Sequence, residues 1–85
     1  KLIPKPGVYA VTINVLNKSF CGMLNVGVNQ QKIEVHIFDF SKNIYGINIK
    51  IEFKKLIRGN IKFANISQLK NQLTKDEKKC REFFC

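Results

Sequence analysis

The sequence predicts a mainly β protein: a small antiparallel sheet inclined to close into a barrel, followed by one C-terminal α-helix. Three observations predict it. Ile47, Ile49, Ile51 and Phe53 alternate strictly with Asn48, Lys50 and Glu52, the period of a half-buried strand. Upstream of them lie runs rich in β-branched and aromatic residues, separated by polar and glycine-bearing breaks. From Ser67 onward the period lengthens: Leu69, Leu73, Cys80 and Phe84 fall largely at helical spacing, with polar residues between.

Taken in order, Lys5-Pro6-Gly7 is a turn signal. Val8 to Leu16 is a strand in which Tyr9, Val11, Ile13 and Val15 share one parity and Val8, Ala10, Thr12 and Asn14 the other. The break Asn17-Lys18-Ser19 pairs it with Phe20 to Val28 in a hairpin, and Gly22 and Gly27 in that second strand signal bends or close backbone approach. Lys32 to Phe40 is a third strand, with Ile33, Val35 and Ile37 against Glu34, His36 and Phe38. Ser41-Lys42-Asn43 opens a turn that reaches Tyr45-Gly46. Ile47 to Phe53 follows, with a further extended piece over Lys54 to Ile57. The helix starts at Asn65, which with Gln68 forms a capping box, or at Ser67. Asp76-Glu77 followed by Lys79 and Arg81 supplies surface charge pairs worth a few tenths of a kcal/mol. Four to six antiparallel strands and one helix result, and closure into a barrel would remove the exposed edges.

The 85 residues allow one domain and exclude a two-domain enzyme or a full doubly wound sheet. The chain begins at Lys1, so it is expected to be a piece of something longer. No apolar run approaches the ~20 residues of a membrane span. Cys21, Cys80 and Cys85 make a poor disulfide framework, and a single histidine, His36, gives a zinc site little to work with. Reduced thiols in the cytoplasm are expected, with Cys85 exposed. Fifteen Lys and Arg against six Asp and Glu give a net charge of +9. The lysines are scattered rather than blocked, which favours phosphate-bearing small ligands over a nucleic-acid polymer. A basic oligonucleotide-binding barrel stays as a lesser alternative.

The third strand carries the most informative anomaly. With Ile33, Val35 and Ile37 inward, Phe38 faces outward and needs cover, which the amphipathic helix can supply. That arrangement places Glu34 in a crevice between barrel wall and helix, where a carboxylate can act as a general base. The plainer reading makes Glu34 an exposed strand residue paired with a cross-strand lysine, and His36 a packed or solvent-facing imidazole. In the loop from Arg58 to Phe63, Arg58 can hold an anionic or carbonyl ligand bidentately. Phe63 can stack on a ring or pack under the helix. Asn25, between Gly22 and Gly27, is a weaker ligand candidate, because the segment lacks a standard phosphate-loop motif.

Together, several segments resemble the riboflavin kinase family: Pro6-Gly7-Val8-Tyr9-Ala10-Val11, Gly22-Met23-Leu24-Asn25-Val26-Gly27 and Ile33-Glu34-Val35-His36-Ile37-Phe38-Asp39-Phe40. Tyr45-Gly46, Arg58, Lys62-Phe63, Leu69, Gln72-Leu73 and Asp76 continue the likeness in the same order. The resemblance implies a six-stranded antiparallel Greek-key barrel with a C-terminal helix, divided as barrel 1–57, flavin-side loop 58–64 and helix 65–84. It implies transfer of the γ-phosphoryl group of ATP, with Mg²⁺, to the terminal hydroxyl of riboflavin, giving FMN. It also implies an FMN adenylyltransferase domain fused upstream. Glu34 maps onto the glutamate of the family's E-x-H strand motif, similar to its proposed base. Arg58 and Phe63 map onto the flap over the flavin, and Asn25 and Tyr45 onto the nucleotide side.

The departures are as informative. The family's P-T-A-N loop, which holds nucleotide phosphate and Mg²⁺, is absent from these residues. Asn29 runs straight into Gln30-Gln31-Lys32 where the family has a longer segment, and Asn60 stands where it usually has Glu. A piece of a longer, active enzyme is the favoured reading. The alternative is a non-catalytic flavin- or nucleotide-binding barrel.

Overall fold

The computed structural model describes residues 5–28, 32–40 and 46–84. Its elements are β1 (Gly7–Val15), β2 (Lys18–Val26), β3 (Ile33–Ile37), β4 (Lys50–Arg58) and α1 (Ile66–Phe84). The strands form one antiparallel sheet in the order β3-β2-β1-β4.

β1 is central, and its alternation is read by both faces. Tyr9, Val11 and Ile13 join Leu24, Val26 and Ile37 in one buried cluster, closed by Phe20, Phe40, Ile49 and Ile51. Ala10 faces the other way, with Phe38 and Cys80, where Cys21, Met23, Ile57 and Phe84 lie against them. Burying a Val or Ile side chain contributes about 1.5–3 kcal/mol, so β1 is the largest apolar contributor of any strand. The amphipathic helix covers Phe38, as its exposed apolar ring requires.

The hairpin forms as expected, but its turn is Leu16-Asn17, between the paired Val15 and Lys18. Both turn residues have positive φ, 54° and 64°. A two-residue hairpin loop needs that geometry to match the strand twist. Asn tolerates it, whereas Leu carries a steric cost of about 1–2 kcal/mol. Gly22 is a point of close approach: a Cβ there would stand 2.5 Å from the His36 carbonyl oxygen and 2.7 Å from Ile13 Cδ1.

Three boundaries differ from expectation. β3 ends at Ile37, where the Phe38 N–H donates to the Cys21 carbonyl at 2.9 Å and Asp39 takes a φ of 60°. That turn breaks the alternation, so Phe38 goes beneath the helix while Phe40 goes to the opposite face, 4.9 Å from the Phe20 ring. The stretches expected at 47–53 and 54–57 are one strand, β4, beginning at Lys50. Register shifts between Val8 and Tyr9 and between Ala10 and Val11 let it run on along β1. As a result, the described residues hold four strands in an unclosed sheet rather than six in a barrel, with β3 and β4 as its edges.

The helix begins as its capping signal predicts. The Gln68 N–H donates to Asn65 Oδ1 at 2.9 Å, and the Ala64 N–H donates to Gln68 Oε1 at 3.0 Å. Near the other end Arg81 pins α1 to the sheet. Its guanidinium lies 4.5 Å from the Phe38 ring centre, 3.2 Å from Asp39 and 2.9 Å from Glu77. Among the described residues no helix is long and apolar enough to cross a membrane.

Candidate functional site: a groove between the sheet and the helix

Residues paired across an antiparallel sheet project to the same face. On the helix side this rule builds a row: Glu34 opposite Asn25, Asn25 opposite Val8, and Val8 opposite Arg58. A parallel row sets His36 opposite Met23 and Met23 opposite Ala10. The helix leans over the centre of these rows. A groove of about 340 Å³ opens beneath its first turns, lined by Val8, Met23, Asn25, Glu34, Val35, His36, Leu69 and Leu73. Leu69 and Leu73 are more than a third exposed there, although they lie on the apolar stripe of the helix. Their exposed apolar surface gives the groove one of its walls. Its polar side chains, Asn25, Glu34 and His36, lie together on the β2–β3 side.

Glu34 stands at the mouth of the groove. Its side chain is 63 % exposed, and an oxygen lies 3.8 Å from Lys32 Nζ. So exposed a pair contributes little, and the carboxylate is open to a ligand. The lysine is not a cross-strand partner: Lys32 lies just before β3, two residues from Glu34. His36 sets its ring edge-on to Phe38 at 5.3 Å.

Arg58 and Phe63 are also brought together, 5.9 Å from guanidinium carbon to ring centre, but at the far end of the row. Arg58 turns away from the groove toward Asp76 on α1. Its Nε donates to both carboxylate oxygens, at 2.9 and 3.0 Å, and its Nη2 donates to Oδ2 at 2.7 Å. Nη1 donates to the Gly59 carbonyl at 2.9 Å. Gln72 Nε2 donates to Asp76 Oδ1 at 3.0 Å. The roof over Glu34 is therefore made by Leu69 and Leu73, without Arg58. Tyr45 lies outside the described residues.

Asp76 is the functional-looking residue that surface-pair reasoning missed. It is 1 % exposed, not solvated. The signal was present, since positions 69, 73, 76, 80 and 84 form one helical stripe and a carboxylate sits in its middle. One turn on, burial pushes the Cys80 thiol up to about 11, and the carboxylates of Asp76 and Glu77 add to the shift. Cys80 is thus a packing residue and a poor nucleophile at neutral pH. Among the described residues no group of three or more His, Cys, Asp or Glu converges as a metal site would require.

A carboxylate beside an amide at the mouth of an apolar slot makes a candidate small-molecule site on an antiparallel β scaffold. The family model described as Flavokinase: Riboflavin kinase matches residues 1–84, and the chain belongs to the riboflavin kinase family. It is 42 % identical to the bifunctional riboflavin kinase/FMN adenylyltransferase of Haemophilus influenzae over 95 % of its length, and 37 % identical to that of Bacillus subtilis over 98 %. It spans about 29 % of each of those relatives. A crystal structure described as a macrolide-efflux protein from Streptococcus pneumoniae matches 94 % of the chain and 28 % of its own, with a TM-score of 0.87 and 34 % identity.

Proposed function

We propose that the chain is the kinase module of a longer protein and transfers the γ-phosphoryl group of ATP to the terminal hydroxyl of riboflavin, giving FMN and ADP. By likeness to its bifunctional relatives, that longer protein also carries an FMN adenylyltransferase module. The observation that carries the reading is the placement of Glu34 beside Asn25 at the mouth of the groove in a member of this family.

The slot between the sheet and Leu69 and Leu73 suits a flat, largely apolar ring system whose polar chain runs out toward Glu34. Glu34 accepts the proton of the attacking hydroxyl and aims its oxygen. Phosphoryl transfer asks little more of a base than positioning and proton removal. Asn25, across the β2–β3 pair, lies on the nucleotide side, and Tyr45 is assigned there by family likeness. Phe63 and the guanidinium face of Arg58 belong to the flavin-side loop.

Riboflavin kinases use ATP with Mg²⁺. The ion takes hard oxygen ligands and usually keeps several waters and substrate phosphates. Among the described residues the side-chain oxygens of the groove are those of Glu34 and Asn25, and these two do not make a cage for it. Among the described residues β3 and β4 are the edges of the sheet, and the six-stranded Greek-key barrel is its proposed fuller form, since barrels abolish edges. Unbridged Cys21 and Cys80 fit a reducing, cytoplasmic setting.

The test is FMN formation from riboflavin, ATP and Mg²⁺ by the complete parent protein and its Glu34→Gln variant. Turnover is expected to fall by about 10²–10⁴-fold, while riboflavin binding, followed by fluorescence quenching, holds. Unchanged turnover would remove Glu34 from its role. Binding by the parent without product would favour a non-catalytic flavin-binding barrel.

A further inference from the structure

We infer that Asp76, seconded by Gln72, is a positioning residue for flavin binding: it holds Arg58 as the pin that fixes the loop 59–65, the flavin-side loop of the proposed function, against α1. The inference rests on the kinase reading and deepens it.

Three observations on separate elements converge. On α1, Asp76 is a carboxylate with 1 % of its surface exposed, and four N–H contacts meet it, three from Arg58 and one from Gln72. An isolated carboxylate would be costly there, so its partners are fixed in place. At the end of β4, the remaining donor group of Arg58 reaches the Gly59 carbonyl. Each guanidinium nitrogen thereby donates at least one hydrogen bond within the protein, and Phe63 lies 5.9 Å away. On β1, Gly7 makes room for the turn: a Cβ there would stand 2.7 Å from the Arg58 carbonyl oxygen.

An arginine used this way does not grip a ligand anion with its fork. Instead it ties the first residue of the loop and the aromatic ring of Phe63 to α1, the element that also bears Leu69 and Leu73. Flavin-side loop and groove wall thus become one rigid piece. The wall residues lie one and two turns before Asp76 on the same stripe, so releasing the pin loosens the loop against a wall that stays put.

The test uses the complete parent protein and three readouts: hydrogen exchange at the amides of residues 59–65, KM for riboflavin, and kcat. In Asp76→Asn, exchange in that loop is expected to quicken while β1 and β2 remain protected. Riboflavin KM rises by about tenfold, KM for ATP is unchanged, and kcat stays within about threefold. Asp76→Glu recovers part of the loss. If Asp76→Asn does not fold, Gln72→Met removes a single contact and is expected to give the same pattern at smaller amplitude. A folded variant with wild-type loop exchange and riboflavin KM overturns the inference, as does an equal fall in kcat at unchanged KM. If the parent makes no FMN, the kinase reading fails by itself. Loop exchange together with riboflavin fluorescence titration then still decides whether Asp76 holds the loop.

Discussion

Asn25 stands directly opposite Glu34 in the β2–β3 pairing, and both side chains line the groove that Leu69 and Leu73 close from the helix. Placement of the proposed base therefore depends on two things that can be varied separately, the strand pairing beneath it and the helical wall above it.

The wall can be thinned without unfolding the domain. Leu69 and Leu73 are only partly buried, so Leu73→Ala is expected to cost about 1 kcal/mol or less, well below the 2–5 of a core leucine. Riboflavin binding by the complete parent, followed by fluorescence quenching, is expected to weaken severalfold. A melt lowered as far as that of a core deletion, with binding intact, would contradict the groove as a flavin slot.

The strand pairing can be disturbed at Gly22. An added methyl group would stand 2.5 Å from the backbone oxygen of His36, on the strand that carries Glu34. Gly22→Ala should destabilise by roughly 1–3 kcal/mol, the usual cost of overpacking, and lower FMN formation in the fraction that stays folded. Urea unfolding and a turnover assay at matched folded fraction separate the two effects.

The Arg58–Asp76 pair should behave asymmetrically. Asp76→Leu alone leaves a guanidinium that is 16 % exposed without its partner, and is expected to cost about 3–5 kcal/mol. Arg58→Met together with Asp76→Leu should regain most of that stability. A double-mutant cycle on chemical denaturation measures the coupling, and a double variant no more stable than Asp76→Leu would refute the expectation.

The hairpin turn carries removable strain. Leu16 is about half exposed at a φ of 54°. Leu16→Gly should therefore raise stability by about 1 kcal/mol through relief of the left-handed conformation. Thermal melts check it, and a lowered midpoint would mean that Leu16 contributes packing its exposure does not reveal.

Alkaline pH should unmask Cys80. The thiol is held neutral in the fold, its value raised from 9.0 to about 11. The unfolded chain loses that proton first, so this contribution is complete below about 9 and disappears as pH climbs to about 11. Over that window Cys80→Ala should flatten the stability–pH curve measured by urea unfolding. An unchanged slope would argue against a buried thiol.

Much of this arrangement was legible in the residues. The two-residue period of β1 and β2, the cap at Asn65 and the stripe from Leu69 to Phe84 reflect local physics, and local physics is what a sequence displays. Glu34 could be singled out because Phe38 demanded a cover on its own face. What could not be read arises between distant elements. Nothing near Asp76 announces that its partner is Arg58, eighteen positions earlier. Leu16 is a poor residue for a left-handed turn, and the pairing of β1 with β2 imposes one there regardless. Asp39 sends Phe38 and Phe40 to opposite faces by a single backbone rotation, which alternation by itself would never suggest.

The central position of β1 has a bearing on assembly. Its hairpin with β2 closes through two residues, whereas its pairing with β4 must gather a far longer stretch of chain, and local pairings form sooner. The groove floor should accordingly be laid down early by the hairpin, with its helical wall docking last. A molecule seated between them would then favour the finished fold over its immediate precursor, and native-state hydrogen exchange with and without riboflavin would register the difference as a slower release of the helix.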